Sequence, residues 1–312
     1  MALAIASTKD MEREIWLQFR RKGIGGSDVA AIAGLNKWKS PVEVYLEKVG
    51  QAPEEDLQSD AAYFGTVLED IVAQEFSRRT GLKVRRCNQM LQHPEHHFML
   101  ANVDRLIVGE KSGLECKTAS EYLKGEWEGE EIPAQYLLQC QHYMAVTGYS
   151  AWWIAVLIGG NKFVYKKIER DEEIIRYLIQ IESEFWNNHV VPQVPPMVDG
   201  SEASTTLLKT MYAIGEPDSE TELPLEADSL IEQLEQAKQD EKAAIERVTE
   251  LENRLKAMLG EYETGIASKH LVTWKNTTRN IIDSKALAKD HPDIHKKYLK
   301  QSVSRRFGVK AV

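Results

Sequence analysis

Two carboxylates and a lysine stand close together between residues 100 and 118. Asp104 lies in one apolar-rich run, and Glu115 and Lys117 lie in the next, two residues apart. Side chains two apart on a strand leave the same face. Paired carboxylates can hold a hard divalent cation, and a neighbouring ammonium can orient or deprotonate a water molecule. These residue types at this spacing indicate metal-dependent hydrolysis of a phosphodiester.

The elements that must position these residues are a hairpin and a preceding helix. The stretch Leu100–Thr118 is predicted to be a β-hairpin, because its two apolar-rich runs flank a polar, glycine-bounded segment, Gly109–Gly113. Phe64–Thr80 is predicted to be an amphipathic helix with Glu69 at the border of its apolar stripe. Glu69 is either solvated at the helix edge or, if buried, paired with a charged group such as a metal ion.

A second helix, predicted for Ile132–Gly148, follows the hairpin, with proline near its start and glycine at its end. Gln135, Gln139 and Tyr143 recur every four residues on one of its faces. Such side chains could hydrogen-bond a phosphate or a base edge. A polar outer face of the helix explains them equally well.

A glycine-rich stretch near the N-terminus, Gly23–Gly34, is predicted to be a turn followed by a short helix capped by Ser27 or Asp28. The simpler interpretation is a capped helix alone. The sharper one is an anion pocket formed by the loop, the helix N-terminus and the Ser27 hydroxyl, with Arg20 or Arg21 supplying charge. It is not a phosphate-binding loop of the Walker type, whose pattern is absent from the sequence.

The composition is that of an ordinary globular protein. The 312 residues are 43% apolar and 28% charged, and the three cysteines have no C-x-x-C spacing. This cysteine usage favours a reducing cytoplasm and argues against a structural zinc site or an iron–sulfur cluster. The sequence shows neither an apolar run of about 18–20 residues nor a signal-peptide pattern, so we expect a cytoplasmic protein. The net charge is −9, yet residues 215–263 carry roughly −10, which leaves room for a local basic groove elsewhere.

The chain is predicted to divide into three parts. Residues 1–197 form an α+β domain, a central mixed β-sheet flanked by helices, that ends at the proline-rich Val190–Met197. Residues 198–225 are a linker. Residues 226–312 contain a long helix, strands at His270–Trp274 and Arg305–Val309, a helix at Asp283–Leu299, and a basic tail. Heptad spacing, interrupted at Glu241, predicts either a coiled-coil or antiparallel arm or a long solvated helix packed on the domain. The positions that show this spacing are Leu230, Leu234, Ala237, Ala244, Val248, Leu251, Leu255 and Met258.

Five segments in this order resemble the YqaJ-type viral recombinase and lambda exonuclease family of the PD-(D/E)xK nuclease superfamily. They are R-R-K-G-I-G-G-S-D-V, F-G-T-V-L-E, N-V-D-R, L-E-C-K and Q-C-Q-H-Y, between about residues 16 and 189. The resemblance implies an α/β/α nuclease core, to which residues 226–312 add a long helix and a small α+β module. The chain departs from the family pattern at Asn102-Val103, where proline is common before the aspartate.

The resemblance also implies a role for each site residue. Asp104, Glu115 and the Cys116 carbonyl would bind Mg²⁺, for which Mn²⁺ could substitute, and Glu69 would add a carboxylate. Lys117 would activate the attacking water. Gln139, or Gln141 two residues on, would lie near that water or the scissile phosphate. The residues implied to contact DNA are Arg20 or Arg21 with Ser27 at a terminal 5′-phosphate, together with Gln141 and Tyr143.

The function implied is a 5′→3′ exonuclease that degrades linear double-stranded DNA and leaves 3′ overhangs. Its partners would be duplex DNA with a free end, a single-strand annealing protein and further copies of itself, a trimer by resemblance. An endonuclease of the same fold is one alternative. A DNA-binding or assembly module with a vestigial site is another, although a dead site has no physical reason to keep Asp104, Glu115 and Lys117 together.

Overall fold

The computed structural model describes residues 2–52, 60–300 and 304–309, and the fold is mixed α+β, as predicted. The chain divides into two compact units, residues 1–212 and residues 213–312. The polar, acidic stretch Gln51–Asp60, whose composition predicts a loop, lies largely outside the described residues. Within those residues, no helix is long and apolar enough to cross a membrane.

The first unit contains two sheets and the helices that cover them. Its strands are β1 (Leu3–Ser7), β2 (Ile24–Gly25), β3 (Val84–Arg86), β4 (Gln89–Gln92), β5 (Met99–Asn102), β6 (Arg105–Ile107), β7 (Ser112–Ala119), β8 (Ala151–Ile158) and β9 (Lys162–Glu169). Its helices are α1 (Arg13–Arg20), α2 (Gly26–Ile32), α3 (Pro41–Val49), α4 (Asp60–Thr80), α5 (Ala134–Thr147), α6 (Glu172–Phe185) and α7 (Glu202–Met211). A 3-10 turn spans Glu121–Trp127 and a π turn spans Trp186–Val190.

The larger sheet has the strand order β3-β6-β7-β8-β9, with β7 in the middle. Only the β7–β8 pair is parallel, and it is in register over all eight residues of each strand. The apolar sequence A-W-W-I-A-V-L-I suits β8, since an interior strand covered on both faces needs apolar side chains on both. A hairpin with a turn at Gly159-Gly160 joins β8 to the antiparallel strand β9.

Helices cover both faces of this sheet, as the predicted α/β/α layering requires. On one face, Val72 and Phe76 of α4 pack in a buried cluster with Leu114 of β7 and Ala155 of β8. The other face of β8 presents Ile154 to the cluster that contains residues of α5. Because side chains alternate along a strand, α4 and α5 lie on opposite sides of the sheet.

The predicted hairpin over Leu100–Thr118 is only partly correct. Its first run is divided between the two sheets: β5 joins the smaller sheet, of order β1-β4-β5-β2, whereas β6 pairs with β7. Asp104 therefore lies at the junction between the sheets instead of within a strand. A continuous apolar run gives no sign that the chain changes sheets within it, which explains the error.

The first unit extends beyond the predicted domain end at residue 197. Helix α7 falls inside the predicted linker, and its Ala203 and Leu207 are buried. Leu207 belongs to the same cluster as Val42 and Leu46 of α3. The part of the predicted linker that α7 occupies is thus a packed element of the first unit.

The second unit contains α8 (Glu226–Leu259), the hairpin β10 (Thr264–Ile266) and β11 (Leu271–Thr273), α9 (Ser284–Asp290) and α10 (Pro292–Tyr298). The predicted helix Asp283–Leu299 is divided in two at His291, where Pro292 begins the second helix. The predicted strand Arg305–Val309 is wrong, because residues 304–309 are irregular. The rest of the predicted basic tail, beyond residue 309, lies outside the described residues.

Candidate active site

The three residues that the sequence placed together do converge. Asp104 Oδ2 accepts a hydrogen bond from the Cys116 backbone N–H at 2.8 Å, which ties the junction between the sheets to β7. Glu115 and Lys117 leave the same face of β7, and Lys117 Nζ lies 2.6 Å from Glu115 Oε1. The ammonium also lies 5.5 Å from the centre of the Tyr136 ring. Glu115 is buried, whereas the Lys117 side chain keeps 25% of its surface exposed.

Helix α5 contributes Gln139 to the same centre. Its Nε2 donates to Glu115 Oε1 at 2.6 Å and to the Tyr143 hydroxyl at 2.8 Å. The other Glu115 oxygen, Oε2, is buried and has no hydrogen-bond partner within the described residues. Buried polar atoms are nearly always paired, so this oxygen has an unused capacity to bind a donor or a cation.

The electrostatics of the centre favour a cation. Burial, together with the nearby carboxylates of Glu115 and Glu69, raises the pKa of Asp104 well above its ordinary value. Burial works against the charge on Lys117, but the Glu115 and Asp104 carboxylates outweigh it and raise the pKa of that ammonium. Lys117 is therefore protonated near neutral pH, and the carboxylates repel one another.

Glu69 reaches the cavity from α4, but its carboxylate is engaged. It forms an ion pair with Arg105, whose other terminal nitrogen lies 2.5 Å from Asp70 Oδ1. Within the described residues, no three His, Cys, Asp or Glu side chains are grouped so that they could hold a metal ion. The sequence left open whether Glu69 would be solvated or paired, and the charged partner in the structure is an arginine.

The residues present nevertheless fit one divalent cation. The two carboxylates of Asp104 and Glu115 supply oxygen ligands, one of them an oxygen without a partner among the described residues. The N–H and C=O of a strand residue point to the same side. Because the Cys116 N–H meets Asp104, its carbonyl faces the same edge of β7 and can serve as a third oxygen ligand.

A basic pocket lies beside this centre. Arg20 Nη2 donates to Ser27 Oγ and to Asp28 Oδ1, both at 3.1 Å, and the guanidinium stacks on Trp16 at 4.9 Å from its ring centre. Between the two predicted candidates, Arg20 lines the cavity, whereas Arg21 lies beside Gly50 at the end of α3. Consecutive residues on a helix point about 100° apart, which separates their roles.

Asp28 organises this pocket, a role that the sequence did not predict. The helix is capped neither by Ser27 nor by Asp28: Gly25 occupies the N-cap position, and Asp28 accepts its N–H at 3.0 Å. The same buried carboxylate accepts from Lys48 at 2.6 Å and from Lys39 at 3.1 Å. Burial opposes its charge, but the three cations around it lower the pKa of Asp28 well below the ordinary value.

The pocket and the carboxylate centre share one cavity of about 450 Å³. They meet because Gly26 lies directly against α5, where an added Cβ would be 2.6 Å from Tyr143 Cε1 and 3.2 Å from Gln139 Cγ. The residues lining the cavity from both sides include Arg20, Gly25, Gly26, Ser27, Glu69, Asp104, Gln139 and Tyr143.

Two neighbouring residues of α5 are structural. Gln141, predicted to contact DNA, is buried and donates to the Glu169 carbonyl at 2.8 Å while accepting from Asp171 N at 3.0 Å. That prediction is wrong, because the helix turns Gln141 away from the face of Gln139. His142, which the sequence analysis missed, is fully buried between Glu182 and the Leu100 carbonyl, at 2.8 Å from each.

The chain is similar to several known proteins. Residues 15–150 match the family model described as the YqaJ-like viral recombinase domain. The chain is 48% identical over 313 residues to the protein YqaJ of Bacillus subtilis (strain 168), covering 100% of this chain and 98% of that one. An alkaline exonuclease from Laribacter hongkongensis is similar in structure, with a TM-score of 0.48, 21% identity, and coverage of 56% of this chain and 91% of that one. A phage-related exonuclease from Haemophilus somnus 129PT is similar with a TM-score of 0.44 and 14% identity, and the match covers 57% of this chain and 99% of that one.

Proposed function

The chain belongs to the YqaJ-like viral recombinase family, and on this premise we propose that it is a metal-dependent deoxyribonuclease. The proposed substrate is linear double-stranded DNA, degraded 5′→3′ from a free end. The product would be a 3′ single-stranded overhang, which is the form of DNA that a single-strand annealing protein requires.

One observation supports this proposal: a single cavity joins the carboxylate centre to the basic pocket. On one side, Asp104 and Gln139 line it beside the buried Glu115. On the other side, Arg20 and Ser27 line it. An endonuclease needs only the carboxylate centre. The basic pocket adds a place for a terminal phosphate and supports degradation that starts from a DNA end.

The proposed chemistry divides the work among the residues of the centre. A bound Mg²⁺, held by Asp104, Glu115 and the Cys116 carbonyl, would neutralise phosphate charge and lower the pKa of the attacking water. The Lys117 ammonium lies on the same face of β7 and orients that water or stabilises negative charge that develops on the phosphate. Gln139 fixes the Glu115 carboxylate through its amide hydrogen bond and presents a polar group at the cavity wall.

The basic pocket supports degradation that begins at the 5′ end of a strand. Among the described residues, Nη2 is the Arg20 nitrogen that makes hydrogen bonds, so Nε and Nη1 remain as donors for a phosphate. The Ser27 hydroxyl adds a further donor beside them. A 5′-phosphate bound here would hold the DNA end in the same cavity as the carboxylates.

The test is digestion of duplexes that differ only at the end. With Mg²⁺, linear DNA carrying a 5′-phosphate should be degraded faster than the same DNA with a 5′-hydroxyl, and covalently closed circles should persist. Arg20→Ala should remove the preference for the phosphate, by roughly tenfold or more for the loss of a charged hydrogen bond. Arg21→Ala is the matched control and should keep it. Cleavage of the closed circle would favour an endonuclease, and an unchanged preference in Arg20→Ala would refute the pocket.

A further inference from the structure

Helix α8 carries an uncovered apolar stripe. Over its 34 residues only Leu259 is buried, and the side chains from residue 235 to residue 255 are all exposed. Large apolar side chains are among them: Val248 is 56% exposed, Leu251 43% and Leu255 45%. Exposed apolar residues that recur in one stripe mark an interaction surface.

The stripe has the spacing of a coiled-coil seam. Val248 and Leu255 fall at heptad position a, and Ala244 and Leu251 fall at position d. Glu241 also falls at a, in the middle of the helix. A charged residue at a seam position makes some helix pairings less stable than others. Glu241 therefore restricts the register and orientation in which a second helix can pair with α8.

Residue volumes along the seam favour an antiparallel pairing of two copies. In a parallel pair each seam residue meets itself, so Ala237 faces alanine and leaves a gap, as does Ala244. In an antiparallel pair centred at residue 246, Ala237 faces Leu255 of the second copy. In the same way Ala244 faces Val248, so that every small residue meets a larger one, as close packing requires.

Glu241 also favours the antiparallel orientation over the parallel one. A parallel pair in register would bring the two Glu241 carboxylates together at the seam, and like charges at close range repel. In the antiparallel pair Glu241 instead faces Leu251 of the second copy. The two glutamates are then about ten residues apart along the axis, or about 15 Å.

The charges that flank the seam agree with this arrangement. In the antiparallel pair, Arg254 at position g meets Asp240 of the second copy, and Glu252 at position e meets Lys238. The two-fold symmetry repeats each of these pairs, which gives four attractive pairs. The one repulsive contact is between Arg247 and Arg247 of the second copy. The parallel pair offers only Arg247 with Glu252, repeated twice.

We propose that α8 is the interface through which two copies of this chain associate, as an antiparallel coiled coil centred near residue 246. The contact covers residues 234–258, about 37 Å of helix. It rests on the uncovered seam, the matching of small with large residues, and the complementary charges. It does not depend on the nuclease function.

The mass of the full-length protein in solution tests the interface. Sedimentation at increasing concentration should show particles that contain an even number of 35.5 kDa chains. The double variant Val248→Glu, Leu255→Glu should lower that number by half, with the helical circular dichroism signal retained. Thr249→Glu, Asn253→Glu places the same charges on the outer face of α8 and is the matched control. A mass that the seam variant leaves unchanged would overturn the proposal.

Cross-linking tests the orientation. In a Cys87→Ser background, Arg247→Cys should be joined efficiently to its copy by a short bis-maleimide, because both positions lie beside the two-fold axis. Glu241→Cys should cross-link poorly across the separation of about 15 Å. The reverse result would indicate a parallel pair and overturn the antiparallel one. The antiparallel pair would also be overturned if neither variant were cross-linked, or if the particle in solution contained three chains.

Discussion

Glu115 is the most constrained side chain of the centre. Lys117 and Gln139 both bind its Oε1 at 2.6 Å, so the carboxylate is held in one orientation while Oε2 faces no partner among the described residues. A fixed carboxylate with one free oxygen is preorganised for a cation, since little rearrangement is needed when the cation binds. The lysine that neutralises Glu115 also lies beside the proposed position of the reacting phosphate.

Metal binding should be measurable without DNA. We expect Mg²⁺ to raise the thermal midpoint, because a ligand that binds only the folded chain stabilises it by about 2.7 kcal/mol at a hundredfold excess over Kd. Asp104→Asn should abolish the rise, whereas Glu75→Gln, on α4 where Glu75 pairs with Arg78, should keep it. Differential scanning calorimetry measures both. An equal rise in Asp104→Asn would exclude Asp104 as a ligand.

Asp28 should contribute strongly to stability at neutral pH. Removing one partner of a buried ionic cluster leaves its cations unpaired, so we expect Asp28→Asn to lower the free energy of unfolding by about 3–5 kcal/mol. The pKa of Asp28 is lowered in the folded state. Its contribution is therefore complete above the unfolded value of about 3.9 and is lost as the pH falls through the folded value.

Urea unfolding of the wild type and Asp28→Asn at several pH values checks this prediction. The difference between the two proteins should be largest near pH 7 and should narrow in acid. Glu14→Gln, an exposed change on α1, is expected to shift stability by no more than about 0.5 kcal/mol. A difference that stays constant into acid would mean that the Asp28 charge does not stabilise the fold.

At the scale of elements, the contact between α2 and α5 brings the two halves of the site together. It is possible because residue 26 is glycine, and Tyr143 and Gln139 occupy the space that a Cβ would need. Asp28 belongs to α2, and Gln139 of α5 is hydrogen-bonded to Glu115 of β7. The packing of α2 against α5 therefore helps to set the distance from the basic pocket to the carboxylate centre.

Gly26→Ala should disturb this arrangement. Alanine forms helix better than glycine, by up to about 1 kcal/mol, but overpacking costs about 1–3 kcal/mol when neighbours must move. We expect lower stability and a larger fall in nuclease rate, because α2 must shift away from Gln139. Gly125→Ala is the control, since nothing lies within 4 Å of its added Cβ. Full activity in Gly26→Ala would show that the close contact is not required.

The sequence predicted where helices lie better than it predicted which strands pair with one another. Periodicity located the helices that carry Glu69 and Gln139, because amphipathic spacing is a local property. It did not separate β5 from β6, since that division depends on β5 pairing with β2, more than 70 residues earlier in the chain. Contacts such as His142 with Glu182 and Arg105 with Glu69 likewise join distant residues. Their side chains carry no local signal of one another.

At the scale of the whole molecule, all the candidate site residues lie in the unit formed by residues 1–212. The second unit contributes none of them, and its most conspicuous feature is the exposed seam of α8. The composition becomes acidic and heptad-patterned beyond this division, and the predicted domain end at residue 197 lies before α7. The proposed catalysis and the proposed self-association are thus assigned to different parts of the chain, and we expect that they can be altered separately.

The most direct test of the proposed nuclease is the rate of label release from 5′-phosphorylated linear duplex with Mg²⁺, in the wild type and in Lys117→Ala. Lys117 is the positive charge nearest the two carboxylates, so its loss should reduce hydrolysis by at least about 10²–10³-fold. DNA binding, measured by fluorescence anisotropy without metal, should be nearly unchanged. Undiminished hydrolysis in Lys117→Ala would contradict the assignment of this centre as a nuclease site.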